Sequence, residues 1–125
     1  MSTIKDKNLA TIGQQEVDWA ARQMKVLEEI KTEFSSSKPL NGLNIGACMH
    51  VTKETANLML TLKAAGANVA LCASNPLSTK DSVAAYLSEN DIEVHAVHGV
   101  SNDDFFNHLN SVLDTKPDIT MDDGA

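Results

Sequence analysis

From Gln14 to Phe34 apolar side chains recur every three or four residues, at Val17, Ala20, Met24, Leu27, Ile30 and Phe34. That spacing predicts one amphipathic helix, ended by Ser35-Ser36-Ser37-Lys38-Pro39. Short apolar runs then alternate with helical patterns. Leu43–Cys48 reads as a first strand, Val69–Ala73 as a second, Ile92–Val97 as a third and Asp118–Met121 as a fourth. Between them, Thr52 reads as the N-cap of a helix reaching Ala65, with Gly66 as its stop. Ser78-x-x-Asp81 resembles a capping box for a helix to Glu89, and Ser101-x-x-Asp104 caps one containing Phe105, Phe106, Leu109, Val112 and Leu113. Strands separated by helices are βαβ units with right-handed crossovers. The expected fold is α/β: a Rossmann-like parallel sheet of about four strands, helices on both faces, and an N-terminal helix in front. Residues 1–13 are polar and form an extension, expected to be frayed or draped over a neighbour.

Composition narrows the function. The 125 residues carry a formal net charge of −7, and no Lys/Arg cluster offers a basic stripe, so neither nucleic acid nor an anionic membrane surface is an expected partner. No apolar run is long enough to span a bilayer, and Met1–Lys7 lacks the apolar core of a signal peptide. Cys48 and Cys72 fall inside strands without CxxC spacing, as small buried residues of a cytoplasmic protein rather than a disulfide or metal pair.

Parallel strands send their C-terminal ends to one rim, where open α/β sheets bind ligands. His50 and Thr52 follow the first strand, Ser74 and Asn75 the second, His98 the third, and Asp122 and Asp123 the fourth. His50 beside the cap Thr52 is the leading candidate, against the plainer reading of a loop histidine satisfied by backbone. Asp122-Asp123-Gly124 is either a turn signal or a carboxylate held near a histidine for acid/base work. Glu54 opens a helix, where the dipole favours it without any ligand. His95 is structural or solvent-facing, His108 an exposed helix residue, and His98 lies on the rim without an obvious partner. Neither GxGxxG nor GxxxxGK[ST] occurs, since Gly42-Leu43-Asn44-Ile45-Gly46 has the wrong spacing.

Several segments in order resemble the N-terminal, substrate-binding part of the adenosylhomocysteinase (S-adenosylhomocysteine hydrolase) family. They are Leu9-Ala10-x-x-Gly13, Trp19-Ala20, Ser37-Lys38-Pro39-Leu40-x-Gly42, Cys48-Met49-His50-Val51-Thr52-x-Glu54-Thr55-Ala56, Ser74-Asn75-Pro76-Leu77-Ser78-Thr79-x-Asp81 and Pro117-Asp118-x-x-x-Asp122-Asp123-Gly124. The resemblance implies a partial substrate-binding domain over residues 14–125. It also implies a reversible reaction in which bound NAD oxidises the ribose 3′-hydroxyl, homocysteine leaves C5′, water adds and the ketone is reduced again. By position, His50 and Asp123 would be the acid/base pair near C5′, Thr52 and Glu54 would hydrogen-bond adenine, and Asn75 would line the same crevice. No metal is implied. The family continues its acidic motif as Gly-Gly-Asp, whereas this chain reads Gly124-Ala125. The NAD domain and the lysine and aspartate that handle the 3′-hydroxyl have no counterpart here. The chain is thus expected to be a fragment of a homo-oligomeric enzyme, inactive alone and prone to self-association through an uncovered edge. The competing expectation is a free-standing nucleoside-binding or regulatory module. A signalling receiver is a poor fit, because its acidic pair would follow the first strand.

Overall fold

Four short apolar runs become parallel strands: β1 (Asn44–Cys48), β2 (Asn68–Cys72), β3 (Glu93–His95) and β4 (Ile119–Asp122), in the order β3-β2-β1-β4. The computed structural model describes residues 1–124; Ala125, where the resemblance breaks off, lies outside them. The chain steps outward from β1 through β2 to β3, then crosses back to lay β4 along the free side of β1. The direction of winding therefore reverses between β1 and β4. Such a switch point leaves a crevice beyond the strand ends. The fold is Rossmann-like, as expected.

Alternation along the central strands explains the two layers. Ile45, Ala47, Val69 and Leu71 enter the main core with Val17, Met59, Val83 and Leu87 from α1 (Ala10–Ala21), α3 (Lys53–Ala64) and α4 (Asp81–Glu89). Ala70 and Cys72 face the other way and meet Val112 of α5 (Asn102–Asp114). Met59 and Leu71 are fully buried, each contributing about 1.5–3 kcal/mol of transfer free energy. Gly13 lets α1 approach α4 closely, because a Cβ there would run into the carbonyl of Ser82. Gly66, at φ +100°, ends α3 in the left-handed region as the sequence predicts.

Three expectations are corrected. The single helix over Gln14–Phe34 is two, α1 and α2 (Lys25–Ser37), with the break at Arg22–Met24. A straight helix over 10–37 would run about 40 Å at ~1.5 Å per residue, so the chain turns to keep both halves on the layer. The Ser78–Asp81 capping box does not form: Lys80 is the N-cap of α4, Ser78 Oγ donates to the carbonyl of Asn75 at 3.1 Å, and Asp81 accepts the His98 amide at 2.9 Å. The N-terminus, expected to be frayed or draped over a neighbour, is draped and not frayed. Thr3 pairs along the outer edge of β3, its amide donating to Val94 O at 2.8 Å while Ala96 donates back to Thr3 O at 3.0 Å.

Candidate active site

Register sets the site. Cys48, the last residue of β1, pairs with Cys72 of β2 on one side and Asp122 of β4 on the other. One or two residues further on, His50, Ser74 and Asp123 therefore emerge side by side at the switch point. The His50 loop is fixed on both flanks. The Met49 amide donates to Cys72 O at 3.0 Å, and Val51, fully buried, donates to Ser78 O at 2.8 Å and accepts from the Lys80 amide at 2.9 Å.

His50 and Asp123, 73 residues apart in sequence, are in direct contact: the His50 backbone amide donates to Asp123 Oδ2 at 3.0 Å. The imidazole turns to Ser74 instead, with Nδ1 2.8 Å from its Oγ. Burial acts to raise the Asp123 pKa, but the His50 amide, the Ser74 hydroxyl and the His50 ring charge outweigh it, and the group is held below its ordinary value. Asp123 is therefore an anion at neutral pH. An imidazole, a hydroxyl and a carboxylate at an open rim can hold and release a proton.

The other expected site residues fall around this cluster in different ways. Thr52 caps α3, its Oγ1 accepting the Thr55 amide at 3.4 Å. Glu54, in the first turn of α3, lines an apolar groove of about 620 Å³ with Met24, Leu27, Ile30, Met49 and Leu58. That volume lies within the ordinary range for small-molecule pockets. The break between α1 and α2 shapes the groove, since Met24 and the start of α2 form its outer wall. A second hollow, about 340 Å³, lies on the α5 side between Cys48, Ser74, Phe105 and Asp122. Met49 lines the first and Cys48 the second, so the loop that carries His50 borders both. Asn75 serves its own turn, its Oδ1 accepting the Leu77 amide at 2.9 Å. His98 belongs to a separate hollow with Thr79 and Asp81.

Ser74 was legible only as a rim position; nothing in its neighbours marks a hydroxyl that meets the imidazole of another strand's loop. The cysteines are free thiols. Burial raises the pKa of both, which makes them poor nucleophiles beside the site. Among the described residues no cluster of three or more His, Cys, Asp or Glu could hold a metal ion. Nor does the β1–α3 turn fit a dinucleotide. It has no glycine where a pyrophosphate would approach the backbone, and Thr52 already occupies one of the helix's first amides.

Known proteins are similar to this chain in sequence. A family model described as S-adenosyl-L-homocysteine hydrolase matches residues 1–125. A protein of Aquifex aeolicus named adenosylhomocysteinase is 50% identical over 123 residues, covering 98% of this chain and 29% of its own length. Proteins of the same name from Sulfolobus acidocaldarius and Saccharolobus solfataricus are 48% and 50% identical over 98% of this chain, which covers 29% and 30% of theirs. The chain thus spans under a third of these relatives, and it belongs to the S-adenosyl-L-homocysteine hydrolase family.

Proposed function

We propose that this chain forms the nucleoside-facing part of an adenosylhomocysteinase, which reversibly hydrolyses S-adenosylhomocysteine to adenosine and homocysteine. The observation that carries this reading is the contact of His50 with Asp123 at the switch point. In it, the His50 imidazole holds and delivers the proton at the departing thiolate and at the water that replaces it. Asp123 stays anionic and keeps the His50 loop in place through the amide. Glu54 offers a carboxylate on the wall of the apolar groove, suited to the exocyclic amine of a purine lying along Met49 and Leu58. Thr52 and Asn75 complete the crevice around the nucleoside.

The redox step that the resemblance implies would be supplied by NAD. The residues of this chain do not fit that cofactor, and no step through it is assigned to them. The isolated chain is accordingly inactive, and a longer, self-assembling protein carrying this segment is the working enzyme. A reducing, cytoplasmic setting belongs to the same proposal and is supported by the free thiols.

The test pairs two measurements. Calorimetry of the 125-residue chain with adenosine should give weak binding, and S-adenosylhomocysteine with added NAD should give no turnover. The same segment within a full-length relative should lose turnover on H50Q. Turnover by the isolated chain refutes the division of labour, and an H50Q enzyme of normal kcat refutes the acid/base reading.

A further inference from the structure

Register pairs two thiols that motif spacing leaves unrelated. Cys48 ends β1, Cys72 ends β2, and the two lie directly opposite each other in the parallel ladder. Both pack in the small cluster under α5 with Ala70, Leu109 and Val112, so their side chains share one face of the sheet. Neighbouring strands run about 4.8 Å apart, which falls within the Cα separation that a disulfide bridges. Each thiol also leans across the ladder beside the other. Cys48 Sγ donates to the carbonyl of Ala73 at 3.6 Å, and Cys72 Sγ to the carbonyl of Ala47 at 3.7 Å. Both thiols are free. Cys72 is sealed in, whereas Cys48 is half-buried and lines the hollow of about 340 Å³ on the α5 side, where a small solute can reach it.

We infer that Cys48 and Cys72 form an oxidation-sensitive site: a small peroxide entering the hollow joins them in a reversible intrachain disulfide between β1 and β2. The Cys48 sulfur, as thiolate, attacks a peroxide oxygen; the O–O bond breaks, and the released hydroxide takes up the Cys48 proton as water, leaving a sulfenic acid. The Cys72 sulfur then attacks the Cys48 sulfur, the S–O bond breaks, and the hydroxyl leaves with the Cys72 proton as a second water. The thiols together lose two electrons, and one peroxide becomes two waters. Exchange with an added dithiol reverses the bond. Burial foremost, with the Asp123 and Asp122 charges, holds the Cys48 pKa up, so the site answers to sustained rather than trace oxidant. The position of the bond gives it a consequence. Cys48 lies two residues before His50 and Cys72 two before Ser74, whose Oγ is 2.8 Å from His50 Nδ1. A cross-link closing between the strand ends strains the two loops that hold this contact. That consequence rests on the acid/base reading above; the disulfide itself does not.

The test treats the 125-residue chain with hydrogen peroxide at neutral pH, alkylates the remaining thiols and maps its tryptic peptides without reductant. The expected product is a monomer lighter by two hydrogens, with the Cys48 peptide joined to the Cys72 peptide, and dithiothreitol should restore both thiols. C48S and C72S should give no such bond. A Cys48 oxidised to sulfinic acid while Cys72 stays free, or a disulfide formed only between two chains, overturns the inference. The wild-type map decides this even if C72S fails to fold. In a full-length relative with cysteine at both positions, the same treatment should lower kcat by about 10–100-fold, reversibly, and C48S should keep its own turnover through it. Equal losses in wild type and C48S overturn the hold of this bond on His50. An H50Q enzyme of normal kcat would refute the acid/base reading alone, leaving the disulfide in the chain standing.

Discussion

Two histidines in this chain sit among the same chemical groups and do opposite things. At the rim, the His50 ring meets a serine hydroxyl and its backbone amide an aspartate; it is exposed and one ring nitrogen is engaged. At the sheet edge, His95 is only 4% exposed, with Nε2 2.8 Å from Glu93 Oε1 and Nδ1 3.1 Å from Thr3 Oγ1. Both nitrogens of His95 are occupied. The second arrangement locks the N-terminal segment onto β3, and the first leaves the other ring nitrogen uncommitted at the open rim. Residue type therefore does not separate a structural histidine from a chemical one. The count of committed nitrogens, and the side of the strand end on which the ring lies, do.

The largest effect should appear when each histidine is replaced in a full-length relative. H50Q is expected to lower kcat by about 10²–10⁴-fold and to leave the melting temperature nearly unchanged. H95Q should do the reverse, keeping turnover within about threefold once the protein is folded, since it touches no group of the proposed site. Equal losses of turnover from both, at unchanged stability, would break the comparison.

Stability should separate them next. Removing the His95 ring leaves Thr3 and Glu93 without their partner and a gap beside β3, so H95L is expected to cost about 1–3 kcal/mol. Thermal or urea unfolding of the 125-residue chain measures it. H50Q, at an exposed position, should stay within about 0.5 kcal/mol.

The sequence made part of this contrast visible. Strand and helix alternation was readable because each run keeps one period, and the caps Thr52 and Ser101 sit three residues before the amides they bond. The bend at Arg22–Met24 was not readable, because Met24 keeps the apolar spacing straight through it. Ser78 and Asp81 carry capping-box spacing yet serve the Asn75 turn and the His98 amide, for the same side-chain oxygens suit either use. The rim was foreseeable from parallel topology. That His50 and Asp123 flank the switch point depends on strand order, which periodicity does not encode. His108, expected on an exposed helix face, is buried 6.4 Å from the His95 ring, because α5 covers the small residues Ala70 and Cys72 and brings that face down onto the sheet.

That burial gives the two regions different pH behaviour. Desolvation, and then the neighbouring His95, lower the His108 pKa, with Asp104 opposing them. A histidine whose folded pKa lies below its unfolded value of about 6.5 contributes stability that is full above that value and is lost as pH falls through the folded pKa. Melting temperatures should therefore decline as the pH is taken from 7.5 to 5, and H108L should flatten that slope. Asp123 behaves similarly but at lower pH: its hold on the His50 amide is complete above about 4 and fails as pH falls through its lowered folded pKa. If D123N, rather than H108L, removes the slope between pH 7.5 and 5, the assignment of acid sensitivity to His108 is wrong.

The smallest expected effect sharpens the comparison furthest, because it sets two chemically equal caps against each other. Ser101 starts α5, the helix of the inner histidine, with its Oγ 3.1 Å from the Asp104 amide. Thr52 starts α3 beside His50 with a longer bond of 3.4 Å to the Thr55 amide. On capping alone S101A should cost about 1 kcal/mol and T52A about 0.5 kcal/mol, both read from chemical unfolding of the isolated chain. Only Thr52 is proposed to contact the nucleoside, so only T52A should weaken adenosine binding in the chain and raise KM in a full-length relative. Adenosine affinities unchanged by T52A would reduce Thr52 to what Ser101 is, a helix start, and would confine the substrate contacts to Glu54 and the groove behind it.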